Sequence, residues 1–129
     1  MAPVSGRPNR SDKPERLVAR HIEFLGEQDG LPERELKATL ASVFVRWEAV
    51  QRAYLALVRY ETTGPHHVAL CIASSEPDDR TLVDCVLDLF EGRFGPHEHL
   101  DVLFLRGGQE AELGRACRAF YAVQPNHGL

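Results

Sequence analysis

Apolar residues fall in two kinds of spacing along this chain. Tyr54-Leu55-Ala56-Leu57-Val58 and Val68-Ala69-Leu70-Cys71-Ile72 are continuous apolar runs, separated by a polar break that contains Gly64-Pro65. Two runs rich in branched and aromatic residues around such a break predict a β-hairpin. Side chains alternate across a strand, so Ala53, Leu55 and Leu57 share one face and Tyr54, Ala56, Val58 and Tyr60 the other. Both faces are apolar, which places this hairpin in the middle of a sheet covered on each side. His21–Gly26 alternates over Ile22 and Phe24 as a short edge strand, and Leu100–Leu105 as a later strand.

Helical spacing occupies the stretches between. Leu36, Leu40, Val43, Phe44 and Trp47 recur on one face of a helix that opens at Leu31-Pro32-Glu33 and runs to about Trp47. Glu33 and Lys37 fall one turn apart on its more polar side. A second helix is expected from Asp79 to about Glu91, with Asp78 and Asp79 as capping residues, Leu82, Val83, Val86, Leu89 and Phe90 inward, and Gly92–Pro96 as its stop. A third is expected from Gln109 to Phe120, burying Leu113, Ala116, Cys117 and Phe120. The resulting order is β-α-β-β-α-β-α. It predicts an α+β fold with a single mixed or antiparallel sheet of about four strands and helices packed on it. The first six elements fit the ferredoxin-like split βαβ order.

The chain has 129 residues, enough for one domain, with 43% apolar and 26% charged residues. Residues 1–20 carry five basic side chains against two acidic ones, a surplus of three positive charges. The net charge of −4 therefore leaves seven negative charges on the remainder. The division expected is a disordered basic tail over 1–20, a folded domain over 21–121 and a flexible tail over 122–129. An acidic body does not suit a nucleic-acid surface. No apolar run approaches the ~20 residues of a membrane span, and the N-terminus has no apolar signal core. Three widely spaced cysteines, Cys71, Cys85 and Cys117, form no disulfide framework; they suit a reducing, cytoplasmic compartment.

Candidate chemistry is sparse. His97 and His99 project from one face of an extended segment, and His66-His67 lies on another connection, so a metal pair is conceivable. No third ligand is fixed by spacing, however, and loop histidines are the simpler account. The cysteines sit in apolar patterns that make thiols inert. Asp84 and Asp88, one helical turn apart, read as a solvated face. Gly107-Gly108 makes a strand-to-helix turn whose N–H groups are a candidate anion site. Tyr54 and Tyr60, on one strand face, are candidate contacts. No cofactor-binding or nucleophile motif is present.

Several short motifs, in order, resemble the C-terminal domain of the SseB (enhanced serine sensitivity) family over about residues 21–121. Phe24-Leu25-Gly26-Glu27 with Leu31-Pro32 is similar to its opening strand and helix start. Val50-Gln51-Arg52-Ala53-Tyr54-Leu55-Ala56, Pro65-His66-His67-Val68-Ala69-Leu70 and Leu100-Asp101-Val102-Leu103-Phe104-Leu105 resemble its next three strands. Ala119-Phe120-Tyr121 resembles its ending, with Ala119 where proline is usual. Longer members place another domain before this one. The resemblance implies a cytoplasmic bacterial protein with no assigned catalytic residues or cofactor. We therefore expect a non-enzymatic protein-interaction or accessory domain with an unidentified protein partner or a homodimer, and no nucleic-acid or membrane partner. The alternative is a small-molecule, amino-acid-sensing domain. The binding candidates are Tyr54, Tyr60, His67, His97, His99, Gly107 and Gly108, and no metal is expected.

Overall fold

The computed structural model describes residues 22–61 and 63–123; the basic tail expected over 1–20 lies outside them, as do residues 124–129. Five strands, β1 (Glu23–Glu27), β2 (Val50–Arg59), β3 (His66–Ser74), β4 (Asp101–Phe104) and β5 (Tyr121–Ala122), form one mixed sheet. Three helices accompany it: α1 (Leu31–Phe44), α2 (Arg80–Phe94) and α3 (Gln109–Gly114). The strands lie in the order β1-β2-β3-β4, and β5 pairs with β2 beyond the end of β1. β1, β2 and β3 are antiparallel neighbours, and β4 runs parallel to β3.

This is the expected α+β class, but not the ferredoxin-like strand order. That order needs the segment after the first helix to skip a lane. Here β2 returns directly beside β1, and only the α2 connection makes a parallel crossover. The hairpin is the centre of the sheet, as its two apolar faces require. Its register runs from Val50 opposite Ser74 to Arg59 opposite His66.

One face of the sheet carries the main core. Ala53, Leu55, Leu70 and Ile72 meet Leu36, Leu40 and Phe44 of α1 and Leu82, Val86 and Phe90 of α2. Leu40, Phe44, Leu55, Leu70, Leu82 and Val86 are wholly buried, each stabilising the fold by roughly 1.5–3 kcal/mol. α1 is shorter than its apolar spacing suggests. Arg46 and Trp47 donate to Val43 and Phe44 carbonyls in tightened turns, which frees the Trp47 indole to donate to Asp79 Oδ2 at 3.3 Å. Asp79 also caps α2, accepting from the Leu82 N–H at 3.1 Å. α2 continues through Gly92 to Phe94 and ends at Gly95, which takes φ 89° and donates its N–H to the Glu91 carbonyl. Lys37 is not on a solvated side. It is 7% exposed and its ammonium reaches Glu27 (3.2 Å) and Asp29 (2.9 Å).

The largest departure from expectation is at the C-terminal end. α3 stops at Gly114, and the chain then extends along β2. Phe120 N–H donates to Ala53 O and Val123 N–H to Gln51 O, both at 2.9 Å. Beyond the short β1, these carbonyls have no strand beside them, so the helical spacing of Ala116, Cys117 and Phe120 loses to sheet pairing. Ala122, placed by the sequence in the C-terminal tail, pairs with Arg52. Phe120 and Tyr121 stack on Phe44, with ring centroids 6.3 and 5.5 Å away.

A candidate binding cavity on the half-covered face of the sheet

The opposite face of the sheet is also apolar. Ile22, Tyr54, Ala56, Val58, Ala69 and Cys71 cluster there under Leu113 of α3 and Cys117. A six-residue helix is about 9 Å long, whereas β2 extends for about 33 Å. α3 therefore covers only part of this face. It is clipped to the sheet by Glu110, which accepts from both Arg52 and the Tyr54 hydroxyl, the latter at 2.7 Å. The Arg52 hydrogen bond holds the Glu110 carboxyl below its ordinary range against the opposing effect of burial. Burial, then the Glu110 hydrogen bond, pushes the Tyr54 phenol up to about 12.

The uncovered part, beside β4, is a cavity of about 400 Å3. Ile22, Leu103 and the Tyr60 ring give it apolar walls, and polar groups stand at its two ends. At the end where β4 begins, the Tyr60 hydroxyl donates to Asp101 Oδ2 at 2.6 Å and His99 Nε2 lies 2.5 Å from Asp101 Oδ1. The His67 ring stacks at 5.3 Å from Tyr60 and 6.5 Å from His99. Strand register produces this group. Tyr60 and His67 flank the β-hairpin turn, and the parallel pairing of Ala69 with Asp101 brings β4's first residue to the same end of the sheet. Burial, reinforced by the hydrogen bond to Asp101 and its charge, drives the Tyr60 phenol far above its usual range, so it serves as a neutral donor.

At the other end Arg106 Nη2 pairs with Asp78 Oδ2 at 2.7 Å, and the Arg106 N–H donates to Gln109 Oε1 at 2.8 Å. Gly107 takes φ 53° in the turn between Arg106 and Gln109, and Gly108 immediately precedes α3. Arg106 and Gln109 line the cavity.

Of the candidates named from sequence, Tyr60, His67 and His99 come together, and Gly107-Gly108 form the turn at the far end. Tyr54 belongs instead to the Arg52–Glu110 clip. His97 is exposed and makes no hydrogen bond or ring contact with the described residues. His66 is exposed at the start of β3, turned away from His67 as neighbours on a strand must be. Asp84 and Asp88 lie on the exposed side of α2. Among the described residues, no group of three or more His, Cys, Asp or Glu side chains is placed to hold a metal. Cys71 and Cys117 are buried in the floor of this face, and burial raises both thiols, Cys117 to about 11 and Cys71 further. Both stay protonated at neutral pH.

Sequence reasoning passed over Asp101, Arg106, Gln109, Asp78 and Ile22 as parts of a site. Asp101 left a faint signal as the one acid in the run Leu100–Leu105; the others are ordinary loop and turn residues whose convergence depends on the fold.

No helix among the described residues is long and apolar enough to cross a membrane. The family model described as SseB protein C-terminal domain matches residues 25–122. No curated protein and no solved structure matches the chain.

Proposed function

The chain belongs to the SseB C-terminal domain family, and from that premise we propose that it is a non-enzymatic protein-interaction domain that takes an extended segment of a partner along β4. The observation that carries this reading is the cavity's position beside an edge strand. Among the described residues β4 pairs only with β3. Leu105 N–H donates to Ile72 O, so by strand alternation the backbone groups of Val102 and Phe104 face outward. An added strand would satisfy those groups and send alternate side chains into the cavity, the usual division between backbone affinity and pocket specificity. The state of the reactive groups supports a non-catalytic role. Tyr60 is a neutral donor tied to Asp101, and the two thiols beneath are buried and protonated.

The test is selection of displayed random octapeptides against the immobilised chain and against Val102→Pro. Proline is tolerated on an edge and removes an outward donor. Peptides retained by the parent chain and lost by the variant support the reading. Peptides retained equally by both, or no enrichment, contradict it. A homodimer formed through the same edge is the simplest assembly. A light-scattering mass of one chain at high concentration would count against it. The three free cysteines suit a reducing cytoplasmic setting.

A second reading, small-molecule sensing with an amino acid as the ligand class, is favoured by the cavity's size. About 400 Å3 falls within the roughly 300–1,000 Å3 of small-ligand sites, and a carboxylate and a guanidinium are available in its walls. Absence of a thermal shift across an amino-acid panel would remove it.

A further inference from the structure

We propose that the Asp101 end of the cavity is a subsite for an arginine side chain of the partner segment. This rests on the reading of β4 as the seat of an added strand. Besides histidine, the lining carries three acidic or basic residues, Asp78, Asp101 and Arg106. Arg106 pairs with Asp78 at the far end. Asp101 has no lysine or arginine partner among the described residues; its partners there are the Tyr60 hydroxyl and His99. A carboxylate offers about four lone-pair sites, so acceptor capacity remains. The Asp101 side chain is 20% exposed: reachable from the cavity, yet shielded enough that a charge pair there is screened less than on the open surface.

Strand alternation sets the pattern the partner must carry. Asp101 and Leu103 share one face of β4, and both line the cavity. Facing side chains on adjacent strands have their Cβ atoms about 5 Å apart. On an added strand, the residue opposite Asp101 and the residue two positions along, opposite Leu103, therefore share the cavity face. The first position calls for a cation and the second for an apolar side chain. Arginine suits the first better than lysine. Its planar guanidinium can bond the remaining Asp101 lone pairs and stack on the Tyr60 ring, which lines the cavity beside that carboxylate. Burial holds the Tyr60 phenol far above its usual range, so it brings no charge of its own. The seven surplus negative charges beyond residue 20 draw a basic segment towards this body.

The test titrates the full chain, isotope-labelled with nitrogen-15, with two capped pentapeptides: threonine-arginine-threonine-leucine-threonine and its reverse. Together they offer arginine and leucine in either strand direction. Each is compared with its citrulline counterpart, which keeps the shape and drops the charge. One arginine peptide should bind about tenfold tighter than its citrulline form, with amide shifts centred on Tyr60, His67 and Asp101. Asp101→Asn keeps an acceptor for Tyr60 and should bring that ratio close to one, with unaltered α1 and α2 signals verifying the fold. In the parent chain the same ratio should shrink as salt rises, a reading that needs no variant. Equal binding of the arginine and citrulline forms, no binding by either arginine peptide, or a preference that survives Asp101→Asn or high salt overturns the proposal. Neutral octapeptides still captured along β4 would then leave the interaction reading standing. An Asp101-dependent arginine preference undiminished by Val102→Pro would keep the subsite and remove strand addition.

Discussion

Replacing Tyr60 by Phe keeps the ring against His67 and removes one hydroxyl, the donor to Asp101 Oδ2 at 2.6 Å. A hydrogen bond to a charged acceptor contributes about 1.5–3 kcal/mol, and an unsatisfied carboxylate oxygen adds to the cost of losing it. Asp101 is 20% exposed and borders the cavity, so water can reach the orphaned oxygen. The loss should therefore fall at the low end, about 1.5 kcal/mol, or roughly 6 °C in Tm. The alkaline limb gives an independent reading of the same bond. The folded-state phenol titrates far above its unfolded value, so above about pH 10 the unfolded chain sheds a proton that the folded chain keeps. Stability then falls with rising pH, by up to about 1.4 kcal/mol per pH unit from this group. Urea unfolding of both proteins at pH 7 and from pH 9 to 11 measures each effect. Tyr60→Phe should be less stable at pH 7 and lose less between pH 10 and 11. Equal stability at pH 7, or parallel alkaline limbs, would refute the claim that Tyr60 is a buried neutral donor to Asp101.

Three further substitutions probe the frame around the cavity. Asp79→Ala removes the α2 cap and the Trp47 indole partner, and should cost about 1–2 kcal/mol with a shift in tryptophan emission; an unchanged spectrum would argue against the Trp47 contact. Glu110→Gln weakens the clip on α3 and should cost about 1–2 kcal/mol at pH 7. Because the Glu110 carboxyl is lowered in the fold, its contribution is full above about pH 4.3 and fades as pH falls through the folded value, so a gap from the parent that stays constant into strong acid would contradict the assignment. Gly107→Ala meets no atom within 4 Å but must hold φ 53°, which predicts a loss of about 1–2 kcal/mol by thermal unfolding; a neutral effect would mean that the turn relaxes.

Local pattern was legible where burial is two-sided or strictly periodic. The hairpin at Tyr54–Val58 and Val68–Ile72 and the stripe Leu36, Leu40, Phe44 carry their own period, and they form the centre of the sheet and its main helical cover. The C-terminal stretch was not legible, because Ala116, Cys117 and Phe120 fit a helix equally well. Their fate depends on the Ala53 and Gln51 carbonyls, some sixty to seventy residues away in sequence. Lys37 misled for a similar reason: its spacing on α1 is that of a surface residue, while Glu27 arrives from the end of β1 and Asp29 from the turn after it. The cavity is the extreme case. Tyr60, His67 and His99 were visible as unusual side chains, but Asp101, which joins Tyr60 to His99, is defined only by the parallel register of β3 and β4. Arg106 and Asp78 meet across a loop and a crossover that no local pattern specifies.

The most direct measurement for the interaction reading is the amide-shift footprint of the best-selected octapeptide on the nitrogen-15-labelled chain. The account predicts shifts concentrated at Val102–Leu105, Tyr60 and Gln109, with α1 silent. Shifts concentrated on the outer surfaces of α1 and α2, with β4 unmoved, would place the binding surface on the other side of the molecule and contradict it.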